Sequence, residues 1–195
     1  MTEASKENQV QHSEDVPERD DSELIKQARA DRAAFAALYR RYLDPVYRYF
    51  VSRVGNGKAA EDLTAEVFLQ ALDGLSEYQH RGHFSAWLFT IARRRLIDHY
   101  RRRSPEKVDE IRELPEESNN PLEDLIHDQE LERLMEVVSA LPNEKQELLR
   151  LRFAAGLTFA EIAEVQGRSE SAVKMAYYRL LDRIEMKLTL EGMHD

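Results

Sequence analysis

The chain has 195 residues, 42% hydrophobic and 33% charged, with only 7 glycines, a mixture that favours helices over sheets. It has no cysteine, which excludes disulfides, thiolate metal sites and cysteine nucleophiles. The formal charge of −9 argues at first against a polyanionic partner, but it is segregated: residues 1–23 carry −6, residues 104–132 carry −9, and the remainder carries +6.

Residues 1–21 read as a disordered acidic tail, poor in aromatics. The tail lacks the basic and apolar regions of a signal peptide. No apolar run reaches membrane-span length, so a cytoplasmic protein is expected. Ser22–Ala30 can form a short helix, and Asp31 is placed to cap the next. That next helix carries a broad apolar stripe: Phe35, Leu38, Tyr39, Tyr42, Val46, Tyr49, Phe50 and Val54. Pro45 lies inside the stripe and predicts a kink, or a restart after Asp44. Gly55-Asn56-Gly57 stops it.

A third helix is expected from Lys58 to Asp73, with Leu63, Val67, Phe68, Ala71 and Leu72 on one face. Gly74–Gly82 reads as a loop. The fourth helix runs Phe84–Arg103. Phe84, Trp87, Leu88, Ile91 and Ala92 recur at helical spacing, and six arginines follow. A rod anchored by apolar groups and ending in cations suits a polyanion, although a solvated amphipathic helix would look similar.

Residues 104–121 read as a flexible acidic linker. About 20 extended residues could reach some 60–70 Å, nearly two duplex turns of about 34 Å each. From Leu122 a helical stripe runs to Leu141, and Pro142 breaks it. Asn143 with Gln146 resembles a cap for a helix through Phe153, which Gly156 ends. Thr158 with Glu161 is a capping box for a short helix. Gly167 supplies a turn, and Ser169 caps a last helix to about Leu188. The fold class is therefore all-α: two small helical domains, 22–103 and 122–190, joined by the linker.

Residues Thr158–Ile184 have the form of a helix-turn-helix. Ile162, Ala163 and Val173 are expected to face each other across the turn. The second helix then offers Arg168, Ser171, Lys174, Met175, Tyr178 and Arg179 to a major groove. An ordinary helical hairpin with a basic surface is the alternative. A second motif, Ala60–Leu69, sets carboxylates beside apolar groups. That suits a protein interface, and equally a plain surface helix.

Several motifs occur in a specific order: Asp62-Leu63-x-x-Glu66-x-Phe68, then Arg81-Gly82, then Trp87-Leu88-x-x-Ile91-Ala92-Arg93, then the helix-turn-helix after Leu141-Pro142. In that order the chain resembles an extracytoplasmic-function (ECF) sigma factor, the two-domain branch of the sigma-70 family. The resemblance covers about residues 22–190. It implies an RNA polymerase specificity subunit with sigma region 2 at 22–103 and region 4 at 122–190. Asp62, Thr64, Glu66, Val67, Phe68 and Leu69 would dock on the polymerase clamp helices. Many members have Gln at the position of Ala65. Region 2 would melt and hold the −10 element with Tyr78, His80, Arg81, His83, Ser85, Arg93, Arg94 and Arg95. Rings would receive unstacked bases while cations track phosphates. Trp87 is expected mainly in the core, and Arg101, Arg102 and Arg103 on duplex phosphates. Many members have Asn where this chain has Arg94. Region 4 would read the −35 element through Arg168, Ser171, Lys174, Met175, Tyr178 and Arg179. Ser171-Ala172 stands where Gly-Thr is commoner. The resemblance further implies core polymerase, promoter DNA and an anti-sigma protein as partners. It likens the acidic linker to a segment threading the RNA exit path; a simple spacer remains the alternative.

His80 and His83 are too few for a metal site, and no HExxH, glycine-rich phosphate loop or nucleophile motif occurs. No metal, no cofactor and no catalysis of its own are expected. Two other readings stay open: a stand-alone helix-turn-helix regulator that needs no polymerase, and a pure interaction protein.

Overall fold

The structure, a computed structural model, describes residues 20–79, 82–102 and 131–191. Every regular element among the described residues is helical. The tail before Asp20, the linker, His80, Arg81 and Arg103 lie outside them.

The first unit begins at Asp21, which the sequence assigned to the tail. Its carboxylate is only 3% exposed and accepts from the Tyr42 hydroxyl and the Arg41 guanidinium. A charge buried this deeply needs both partners, and together they anchor α1 (Ser22–Ala30) on the next helix. Asp31 accepts from the Ala33 N–H at 2.9 Å, so it caps a 3-10 turn, Arg32–Ala34, that leads into α2 (Phe35–Val54).

Pro45 neither ends α2 nor restarts it. The helix runs as one 20-residue element. Leu38, Tyr42, Val46, Tyr49 and Phe50 lie on both sides of Pro45 and are fully buried. A helix-interior proline costs about 3 kcal/mol, whereas each such buried side chain stabilises by about 1.5–3 kcal/mol. Burial wins.

Gly55, at φ 65°, terminates α2, and the Asn56 side chain caps α3 (Gly57–Gly74) by accepting from Ala59 N–H at 2.9 Å. α4 (Phe84–Arg102) packs on α3 and α2. Tyr42, Tyr78 and Trp87 surround Phe84 with ring centroids 5.4–5.7 Å away.

In the second unit, α5 is described over residues 131–139 and α6 spans Asn143–Leu149. The expected Asn143 cap does not form. Pro142 precedes the helix and Asn143 is already helical. Gln146 turns back to donate to the Ser139 and Leu141 carbonyls, both at 2.9 Å, tying α5 to α6. After α6 the winding widens to a π turn, Arg150–Ala154, closed by Ala155 N–H on the Arg150 carbonyl at 2.9 Å. α7 (Phe159–Gln166) and α8 (Glu170–Glu191) complete the unit. The two units pack on each other, α7 against α4 and the π turn against α2.

Candidate nucleic-acid interface

The α7–α8 pair is a helix-turn-helix. Thr158 accepts from the Glu161 N–H at 3.2 Å while Glu161 accepts from the Thr158 N–H at 2.6 Å, the reciprocal capping box read from sequence. Gly167 turns the chain at φ 64°, a left-handed conformation that favours glycine. Ile162 and Val173 are fully buried and Ala163 nearly so, which locks α8 across α7. The face of α8 left outward carries Ser171, Lys174, Met175, Tyr178 and Arg179. Met175 is 54% and Tyr178 42% exposed, whereas Tyr177 beside them is buried. Lys174 pairs with Glu170 at 2.7 Å, and Arg168 lies 3.7 Å from Glu144. All six residues predicted for duplex reading thus lie on one helix or the turn before it.

The second surface is a cavity of about 570 Å³ between the end of α3, residues 77–79 and 82–83, and α4. Gln70, Tyr78, His83, Trp87 and Arg94 line it, and Glu164 reaches in from α7. Trp87 is half-buried. Its ring touches Tyr78 and Phe84 and lies 3.4 Å from where a Cβ on Gly74 would sit. It is core on one side and cavity wall on the other. Burial pushes the Tyr78 hydroxyl up to about 12, with the Glu164 and Asp21 carboxylates adding to the shift.

The remaining predicted residues divide. Arg93, Arg94, Arg101 and Arg102 are exposed. Arg95 instead turns to α3, donating to Gln70 at 2.9 Å and lying 3.7 Å from Glu66. Ser85 is 1% exposed and donates to Glu161 at 2.5 Å. On α3, Thr64, Val67 and Phe68 are buried, and Thr64 donates to the Ala60 carbonyl at 2.7 Å. Asp62 and Leu69 are exposed, Leu69 by 64%, and Glu66 is half-buried between them. The buried three hold the helix, and Asp62, Glu66 and Leu69 form its outward face.

The chain matches the sigma-70 region 2 family over residues 38–106 and the sigma-70 region 4 family over residues 131–184. The chain belongs to the ECF sigma-70 family. It is 40% identical over 162 residues to the ECF RNA polymerase sigma factor BldN of Streptomyces coelicolor, covering 80% of this chain and 61% of BldN. It is 30% identical over 183 residues to the ECF RNA polymerase sigma factor SigD of Mycobacterium bovis, covering 90% of this chain and 86% of SigD. Among solved structures, CnrH in complex with the cytosolic domain of CnrY matches at a TM-score of 0.62 and 23% identity, covering 86% of this chain and 96% of that one. RpoE in complex with the anti-sigma factor NepR from Bartonella quintana matches at 0.60 and 20%, covering 80% and 96%. These two share the fold.

The contacts between regions 2 and 4 of this sigma factor escaped sequence reading. The Tyr49 hydroxyl donates to Glu147 at 2.7 Å, and Arg150 Nε donates to the Ser52 carbonyl at 3.3 Å. Burial, then Glu147, push the Tyr49 hydroxyl well above its ordinary value. Burial, then Arg53, lower Arg150. His83 Nδ1 lies 2.6 Å from Glu164. Only Glu161 carried a one-dimensional signal, and that signal announced the cap alone.

Proposed function

We propose that this chain directs core RNA polymerase to promoters and helps open them. Asp62, Glu66 and Leu69 on α3 offer the core enzyme an acidic-apolar face. The Tyr78–Trp87–Arg94 cavity, with Arg93, receives the displaced −10 strand: rings take unstacked bases and guanidinium groups take phosphates. Arg101 and Arg102 grip the duplex upstream. The outward face of α8 reads the −35 element, with Lys174 and Arg179 on phosphates or guanine edges and Met175 and Tyr178 on apolar base edges. The polymerase performs the chemistry, so no catalytic group is assigned here. The setting is cytoplasmic, and among the described residues no helix is long and apolar enough to cross a membrane. An anti-sigma protein that covers regions 2 and 4 is the expected regulator.

What supports this reading is the coexistence in one chain of a cavity walled by Tyr78, Trp87 and Arg94 and a separate helix, α8, with Lys174 and Arg179 on its outward face. A stand-alone regulator needs the second and has no use for the first. The test is transcription reconstituted with core polymerase on a library of promoter sequences. Transcripts should start at a defined subset of sequences, and starts no more frequent than with core enzyme alone would refute the proposal.

A further inference from the structure

The cavity beside Trp87 has polar walls whose hydrogen-bonding sense is fixed from behind. On α3, Gln70 is half-buried and lines the cavity with Trp87, Thr90 and Arg94. An unrestrained glutamine amide turns over readily and offers a base either its oxygen or its NH2 group. Gln70 is restrained. Arg95 Nε donates to Gln70 Oε1 at 2.9 Å. A guanidinium carries donors only, so the atom facing it must be the amide oxygen. The NH2 end is left for the cavity, and it makes no hydrogen bond among the described residues.

Arg95 is itself held. Its side chain is 30% exposed, and Nη1 lies 3.7 Å from the Glu66 carboxylate, one turn before Gln70 on the same helix. On α4, the Thr90 hydroxyl donates to the Ala86 carbonyl at 2.8 Å. Its proton is directed back along the helix, so Thr90 offers the cavity lone pairs alone. One wall thus presents a fixed donor and another a fixed acceptor. Arg94 and the Trp87 ring discriminate less, because a guanidinium takes any phosphate and a ring stacks on any base. Keto and amino bases differ in the sense that such walls detect. Thymine carries O4 beside N3–H, whereas cytosine carries an N4 amino group beside a bare N3. Guanine and adenine differ in the same way at positions 6 and 1.

We propose that Gln70 reads one unstacked base of the −10 strand, telling a keto base from its amino counterpart of the same ring size, and that Arg95 is the positioning residue that fixes the sense of this reading. The inference rests on the assignment of this cavity to the −10 strand given above. Arg95 then acts on DNA through Gln70, without a phosphate of its own.

The test is transcription by the full chain with core polymerase on templates in which each −10 position is varied through every base. At one position the parent should separate thymine from cytosine, or guanine from adenine, by about fivefold, the ratio that one net hydrogen bond supplies. Gln70→Glu keeps the shape and offers oxygen on both sides, so the preferred base there should change to its counterpart. Arg95→Ala lets the amide turn over, and the preference there should vanish while the other positions keep theirs. Arg95→Lys returns a donor to the amide oxygen and should restore the preference, which a mere packing role for the guanidinium would not allow. Identical base preferences in parent, Gln70→Glu and Arg95→Ala would overturn the proposal. So would a uniform loss over all positions in Arg95→Ala that Arg95→Lys does not recover. Should circular dichroism show Arg95→Ala unfolded, the exchange of bases in Gln70→Glu, or its absence, decides alone. A parent that starts no more transcripts than core enzyme alone refutes the sigma function itself, whereas promoter-directed starts with unaltered preferences in the variants refute only this inference.

Discussion

Arg94 and Arg95 are neighbours in sequence, and the structure gives them different surroundings. Arg94 is exposed and lines the cavity, whereas Arg95 is bound to Gln70 at 2.9 Å and lies 3.7 Å from Glu66. Arg94→Ala should therefore remove one phosphate contact and leave stability unchanged. Each single-strand phosphate contact adds about 0.7 to the slope of log affinity against log salt, so between about 50 and about 200 mM the variant should lose about 2.6-fold less affinity than the parent. Arg95→Ala should keep the parental slope. It loses a side-chain hydrogen bond between α3 and α4 and should cost about 1 kcal/mol of stability. The assay is fluorescence anisotropy of a labelled −10 strand on the polymerase-bound protein across a salt series, beside thermal unfolding of the free chain. Equal slopes for parent and Arg94→Ala, or a reduced slope for Arg95→Ala at unchanged stability, would refute the reasoning.

Region 4 should behave in parallel. Lys174→Ala and Arg179→Ala should each lower the duplex salt slope by about 0.9, whereas Met175→Ala should keep the slope and alter which −35 sequences are preferred. Competition binding against a randomised duplex measures both. Gly167→Ala should destabilise the chain by about 1–2 kcal/mol, because the residue sits at φ 64° with nothing within 4 Å of an added Cβ. Gly167→Asn should cost less, and thermal unfolding compares them. Alkaline pH should unfold the chain cooperatively. Burial pushes the Tyr78 hydroxyl up to about 12 from an ordinary value of 10.0, and Tyr49 is raised as well. The stability held by the protonated Tyr78 hydroxyl is complete below about pH 10 and is lost as pH climbs through about 12, and that held by Tyr49 persists to higher pH. Tyrosinate absorbance followed beside helical circular dichroism should show the last tyrosines ionising as the helices melt. Ionisation of all eight tyrosines with the helices intact would contradict this.

The helices, the helix-turn-helix and its capping box were legible in the sequence because each depends on spacing along one chain segment. Ile162 and Val173 meet because the turn between them is short, and burial follows from their period. The basic face of α8 was legible for the same reason. The helix does not restart after Asp44 because the local cost of Pro45 is fixed by chemistry, whereas the burial that offsets it depends on other helices. Asn143 read as a cap, but it is already helical, and Gln146 donates instead to the Ser139 and Leu141 carbonyls before α6. Asp21 looked like tail until Tyr42 and Arg41 closed over it. The acidic contacts between regions 2 and 4 had no signal at all. Glu161 and Ser85 stand 76 residues apart, and a hydrogen bond over that separation leaves no periodic trace. Sequence by itself determined which segments are helical, which face of each is apolar and where the cations lie. Only the tertiary structure decided that Arg94 opens to the cavity while Arg95 is tied down, and that the His83 N–H before α4 is taken by the Glu164 carboxylate of α7. Both outcomes depend on which helix packs opposite, and periodicity along one helix does not specify its neighbour.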